Sequence, residues 1–150
     1  MLKPKSDWVT ILNALALGGP TEFTGRTFIL ATLKTVQKPE FWQLHGKNIG
    51  LVVNCIGKRD GPGGTDLLPD AAGRPLQVFI DVRKFDSLPI ALNTACQLAK
   101  GTFQRGSDIL VHCRLTFHRG PAICAGMYQE LCGVPYKVGG RLLKVGILGL

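Results

Sequence analysis

The stretch Ile109-Leu110-Val111-His112-Cys113, then five residues, then Arg119-Gly120-Pro121, constrains this chain more than any other. Its aliphatic run predicts a buried strand. Gly120-Pro121 predicts a helix start, because proline fits the first helical turn, where its missing N–H goes unused. Cys113 therefore ends a strand, and Arg119 stands where a short loop becomes a helix. The backbone N–H groups of such a loop converge into an anion nest, and the helix N-terminus adds partial positive charge. An arginine six positions after the cysteine brings a planar fork that binds two phosphate oxygens. The thiolate is the nucleophilic form of cysteine, and a positive loop stabilises it. A cysteine ending an apolar strand is by itself more often plain core. Spacing, arginine and strand–loop–helix order together reverse that preference in favour of phosphate-ester chemistry.

Three other extended stretches, 27–33, 49–56 and 76–81, join 108–113. The last three of the four are continuous apolar runs, as in strands covered on both faces. Helical signals fall between them. Pro39 to His45 forms a short helix that Gly46 stops. Ser87 caps a second helix, along which Leu88, Leu92, Ala95, Cys96, Ala99 and Phe103 recur at helical spacing and which Lys100 and Arg105 end. A third helix opens at Gly120-Pro121 and runs to Gly133. Strands alternating with helices predict an α/β fold, a central, mostly parallel sheet flanked by helices. The link Gly57–Pro75, rich in Gly, Pro and Asp, reads as a long surface loop. Trp8, Ile11, Leu12 and Leu15 share one helical face, so residues 1–19 read as an N-terminal helical segment and not as a signal peptide, since Asp7 and Asn13 interrupt the apolar block. No stretch approaches the roughly 20 apolar residues of a membrane span.

The run His112-Cys113, five residues, Arg119 resembles the HCxxxxxR loop of the cysteine-based protein tyrosine phosphatases. Upstream the chain resembles their dual-specificity branch. Pro20-Thr21-Glu22-Phe23 with Thr27-Phe28-Ile29-Leu30 is similar to its opening strand, and Asn48 to Asn54 to the strand that follows. Gln77-Val78-Phe79-Ile80-Asp81 stands where that branch carries its general acid, with Asp81 lying 32 positions before Cys113. The resemblance spans about residues 20–133 and implies a catalytic domain over 20–150, with the family's C-terminal helices short or missing; Leu142 to Ile147 reads as one short element.

It further implies a hydrolase for phosphotyrosine and phosphoserine or phosphothreonine in proteins. Cys113 would be the nucleophile, Arg119 the phosphate clamp and Asp81 the acid. Arg114, Leu115, Thr116, Phe117, His118 and Arg119 would form the substrate loop, with His112 and Gly120 in support. Asp86 is a rival acid, although its place before the helix cap Ser87 suits a helix-dipole partner. Neither a metal nor any other cofactor is expected. Arg83, Lys84, Arg105, Arg114 and Arg119 are expected near the site, with Lys58 and Arg59 following a strand that ends beside it. Arg114 and His118 make the loop basic, which suits acidic phosphopeptides, inositol phospholipids or RNA 5′ phosphates.

The net charge of +8 over 150 residues suits an anionic partner or substrate. No basic run marks a nucleic-acid arm. The five cysteines lack CxxC spacing, so zinc is not expected. A working thiolate favours a reducing compartment, cytoplasm or nucleus. Some phosphatases of this kind trap their oxidised nucleophile with a second cysteine, and Cys55, ending the strand next to that of Cys113, is placed for it; a buried core thiol is the alternative.

Two positions depart from the family loop. Thr116 replaces a glycine, and a β-branched residue resists positive φ. Gly120 replaces the usual Ser or Thr, whose hydroxyl helps the thiolate leave phosphorus. Two other readings therefore stand beside the phosphatase. One is a phosphate-binding pseudophosphatase with impaired turnover. The other is a rhodanese-like sulfurtransferase or cell-cycle-type phosphatase, because Arg119-Gly120-Pro121 and Asp81-Val82-Arg83 resemble the "ERGP" and "DVR" motifs of those proteins.

Overall fold

Four of the five strands among the described residues run parallel, and that direction decides where a site can form. The computed structural model describes residues 9–55, 75–80, 88–113 and 119–133. Its strands are β1 (Val9–Asn13), β2 (Thr27–Thr32), β3 (Ile49–Asn54), β4 (Leu76–Phe79) and β5 (Asp108–Cys113). They form one sheet in the order β1-β2-β5-β3-β4. β5 lies between β2 and β3 and is parallel to both; β4 extends the parallel set, and β1 closes the far edge antiparallel to β2. The helices are α1 (Leu33–Val36), α2 (Pro39–His45), α3 (Leu88–Gln104) and α4 (Arg119–Cys132). The α/β expectation therefore holds, and α2 has the expected bounds, with Pro39 in its first turn and Gly46 at its C-cap.

The strands' period of two sorts side chains onto two faces. Phe28, Leu30, Leu51, Val53, Ile109 and Val111 join the larger core with Ala95, Ala99 and Phe103 of α3 and Met127 and Tyr128 of α4. Ile29, Ala31, Val52 and Leu110 join Val36, Phe41 and Trp42 of α1 and α2 on the other face. Phe28 anchors the larger core: its ring meets Phe103 at 5.1 Å and Tyr128 at 4.8 Å, both edge to face. Each such pair contributes about 0.5–1.5 kcal/mol beyond area burial. On the other face the Trp42 indole N–H donates to the Val36 carbonyl at 2.6 Å, which ties α2 to α1.

The N-terminal helix expected over 1–19 is not what forms where the chain is described. Val9–Asn13 is a strand, paired residue by residue with Thr27–Ala31. Val9, Thr10 and Ile11 are β-branched and favour a pleated edge. The Asn13 side-chain oxygen then accepts the N–H groups of Leu15 and Ala16, so the strand ends in a turn. Helical spacing of Ile11, Leu12 and Leu15 was thus a by-product of a strand followed by a turn. β4 is a second correction. It is an edge strand in this sheet, and Leu76 and Phe79 are each 51% exposed, so only its inner side is covered. Residues 57–74, the Ser87 cap and the stretch 142–147 lie outside the described residues.

Candidate functional site

The C-terminal ends of parallel strands converge at one edge of the sheet, where α/β folds build their sites. Four residues stand there in a row. Thr32 pairs with Cys113 in the β2–β5 ladder. Asn54 pairs with His112 in the β3–β5 ladder, and the Cys55 N–H donates to the His112 carbonyl at 2.8 Å, setting Cys55 beside Cys113. The Ile80 N–H donates to the Asn54 carbonyl at 2.9 Å, setting Ile80 beside Cys55. Thr32, Cys113, Cys55 and Ile80 thus end four adjacent parallel strands. Cys113, Cys55 and Ile80 all belong to the core under α3 and α4.

Cys113 is the last residue of the middle strand and is 2% exposed. α4 begins at Arg119, so five residues, 114–118, bridge strand and helix. A strand ending at Cys113 and a helix beginning beside Gly120-Pro121 are the two elements expected from the sequence on either side of these residues. Arg114, Leu115, Thr116, Phe117 and His118 lie outside the described residues, as do Asp81, Asp86, Lys58, Arg59, Arg83 and Lys84. Asp81 follows Ile80 directly in the chain.

His112 is fully buried, and neither ring nitrogen meets a hydrogen-bond partner among the described residues. Burial pushes its pKa down to about 4, so the ring is neutral at pH 7. The site-supporting hydrogen bond in which it takes part is its main-chain carbonyl to Cys55. All five cysteines are thiols. Burial pushes the Cys124 thiol up, and the nearby Cys113 adds to the rise; Tyr128 beside it lowers it in part. The Tyr128 hydroxyl is buried with no hydrogen bond of normal geometry. The Cys96 thiol is pushed up to about 11, chiefly by burial and further by Glu130. Both thiols are therefore protonated at neutral pH and belong to the packing.

Arg105, expected near the site, lies at the opposite edge of the sheet. It follows α3, three residues before β5 begins at Asp108, and its guanidinium donates to the Thr102 hydroxyl at 3.4 Å. The reason is geometric: a helix that leads into a parallel strand delivers its C-terminus to that strand's beginning, not its end. Arg26 occupies the same edge, donating to the Gly106 carbonyl and facing Asp108 at 3.5 Å. Asp108 also accepts the Thr27 N–H at 2.9 Å, which locks β2 to β5.

Thr32 went unnoticed in the sequence. Its hydroxyl caps α1, accepting the Thr35 N–H at 3.3 Å and lying 2.9 Å from the Thr35 hydroxyl. The available signal was a threonine ending the strand next to that of the cysteine, which only strand order makes meaningful. No group of three His, Cys, Asp or Glu among the described residues is placed to hold a metal ion. No helix among them is long and apolar enough to cross a membrane.

The arrangement of strands and helices is a fold shared with solved dual-specificity phosphatases. No family model matches the chain, and no curated protein matches it in sequence. Among solved structures, human DUSP28 is similar with TM-score 0.60 at 21% identity, over 79% of this chain and 75% of its own. Kinase associated phosphatase, with its catalytic site cysteine changed to serine, has TM-score 0.60 at 11% identity, over 97% of this chain and 84% of its own. The active form of Tk-PTP has TM-score 0.58 at 12% identity, over 83% of this chain and 81% of its own. At these identities the fold is what is shared.

Proposed function

We propose that this chain is a cysteine-dependent protein phosphatase acting on phosphotyrosine and phosphoserine or phosphothreonine through a phosphocysteine intermediate. One observation carries the reading: Cys113 ends the middle parallel strand six positions before α4 opens at Arg119. A phosphate at that strand end lies before the N-terminus of α4, and in this reading the amides of 114–118 and the Arg119 guanidinium bind it as well.

The reaction has two steps. The Cys113 thiolate attacks phosphorus in line, an S–P bond forms and the P–O bond to the leaving group breaks. Loop amides of 114–118 and the Arg119 fork hold the three equatorial oxygens, while Asp81 gives its proton to the leaving oxygen. Water then attacks phosphorus and yields its proton to Asp81, and the S–P bond breaks to release phosphate and the thiolate. Neutral His112 stays out of the proton transfers and fixes the end of β5. The positive net charge suits phosphorylated, acidic protein segments. The cytoplasm or nucleus keeps the thiols reduced.

Hydrolysis of p-nitrophenyl phosphate by the purified chain tests this reading. The expected result is turnover that Cys113→Ser abolishes while phosphotyrosine-peptide binding persists. Binding without turnover in the unmodified chain overturns the enzyme claim and leaves a phosphate-binding pseudophosphatase. Sulfur transfer from thiosulfate to cyanide overturns it in favour of a rhodanese-like sulfurtransferase.

A further inference from the structure

β4 leads directly to Asp81, so the register of β4 on β3 decides where the chain at Asp81 begins. β4 has four residues and stands at the edge of the sheet, and its pairing with β3 runs from Leu51–Leu76 to Asn54–Phe79. The period of two turns Leu76, Val78 and, one step on, Ile80 to the side of the α3–α4 core, and Gln77 and Phe79 to the other face. A slip of one residue along β3 would exchange the two faces, and the packing of Val78 and Ile80 into the core opposes it. A slip of two residues keeps every side chain on its own face. On the core side it only replaces one aliphatic residue by another, so packing there discriminates weakly against it.

The other face tells the two registers apart. Asn54 is fully buried, and its Nδ2 donates to Gln77 Oε1 at 3.0 Å. Gln77 is the one polar residue in the stretch 75–80. A two-residue slip brings Phe79 or Pro75 into its place and takes the amide away from Asn54, a costly exchange for a buried polar side chain. The main chain of Asn54 makes the link to the site. Its carbonyl accepts the Ile80 N–H at 2.9 Å, Asp81 follows Ile80, and Asn54 stands opposite His112, the neighbour of Cys113. A two-residue slip carries this end of β4 about 7 Å along the sheet.

We infer that Asn54 and Gln77 are positioning residues for the general acid: their side-chain bond selects the register of β4 that delivers the chain at Asp81 to the strand end beside Cys113. The inference rests on Asp81 being the acid proposed above. Proton transfer to the leaving oxygen needs the acid within hydrogen-bond reach, and a misplacement of about 1 Å can cost about 10²-fold.

The test compares kcat/KM of the full chain and of Gln77→Met, which keeps the side chain's length and removes the acceptor. One substrate is phenyl phosphate, whose leaving oxygen needs the proton. The other is difluoromethylumbelliferyl phosphate, whose phenol leaves as the anion. The expected result is a fall of about tenfold on phenyl phosphate and of less than about twofold on the second substrate. An equal fall on both overturns the inference, because that is the mark of a merely structural change. An unchanged value on phenyl phosphate also overturns it. Failure of the phosphatase reading shows separately, as no turnover of either substrate by the unmodified chain. The register is then decided without turnover, by hydrogen exchange at the Ile80 amide: faster exchange in Gln77→Met supports the selection of register, and equal exchange overturns it. If Gln77→Met does not fold, Gln77→Ala is read by the same criteria.

Discussion

Cys55 and Cys113 end neighbouring parallel strands one step beyond the Asn54–His112 pair, and both side chains enter the core beneath α3 and α4. Adjacent parallel strands lie about 4.8 Å apart, within the Cα separations that a disulfide spans. Hydrogen peroxide should oxidise Cys113 to the sulfenic acid, which the Cys55 thiol attacks with loss of water. Non-reducing peptide mass spectrometry should find the Cys55–Cys113 pair, and dithiothreitol should restore activity. In Cys55→Ser the same treatment should give irreversible loss. A Cys113–Cys124 link, or none, would contradict this account.

Asp81 and Asp86 separate by substitution. Loss of a general acid costs typically 10²–10⁴-fold in rate. Asp81→Asn should lower kcat on p-nitrophenyl phosphate by about 10²-fold, whereas Asp86→Asn should change it by less than about threefold. The reverse ranking would move the acid to Asp86.

His112 makes stability depend on pH. Its folded pKa of about 4 lies below the ordinary 6.5, so the unfolded chain binds more protons between those values. The contribution is fully present above pH 6.5 and is lost as pH falls through 4. Its size at neutral pH is about 3 kcal/mol. Urea unfolding at pH 4.5 and 7.5 should therefore show a larger drop in the native chain than in His112→Leu, which has no ring to protonate. Equal drops would place the acid sensitivity elsewhere.

Phe28 tests the packing that holds β2 against α3 and α4. It is fully buried and touches both Phe103 and Tyr128. Phe28→Ala should cost about 3–5 kcal/mol, read as a lower denaturation midpoint at unchanged m. A cost under about 1 kcal/mol would show that the neighbouring rings collapse into the space.

The central strands were legible because burial on both faces leaves an uninterrupted aliphatic run, as at Leu51 to Val53 and Ile109 to Val111. α2 was legible because Pro39 and Gly46 mark its ends in single residues. The edges were not. Val9–Asn13 owes its strand to pairing with β2, and β4 owes its exposure to standing last in the sheet, and strand order is invisible locally. Beside the candidate site, the strand ending at Cys113 was readable from its aliphatic run and the start of α4 from Gly120-Pro121. Arg105 was misplaced because its distance from Cys113 depends on which end of β5 it precedes. Thr32 was overlooked because its neighbourhood with Cys113 exists only in the β2–β5 register.

The most direct measurement of the central claim is rapid-quench trapping of the phosphoenzyme with p-nitrophenyl phosphate, followed by mapping of the labelled peptide. The account predicts a burst of nitrophenol close to one per chain and phosphate on the peptide that carries Cys113, both absent in Cys113→Ser. Hydrolysis that persists in Cys113→Ser, with no phosphate on that peptide in the unmodified chain, would contradict it.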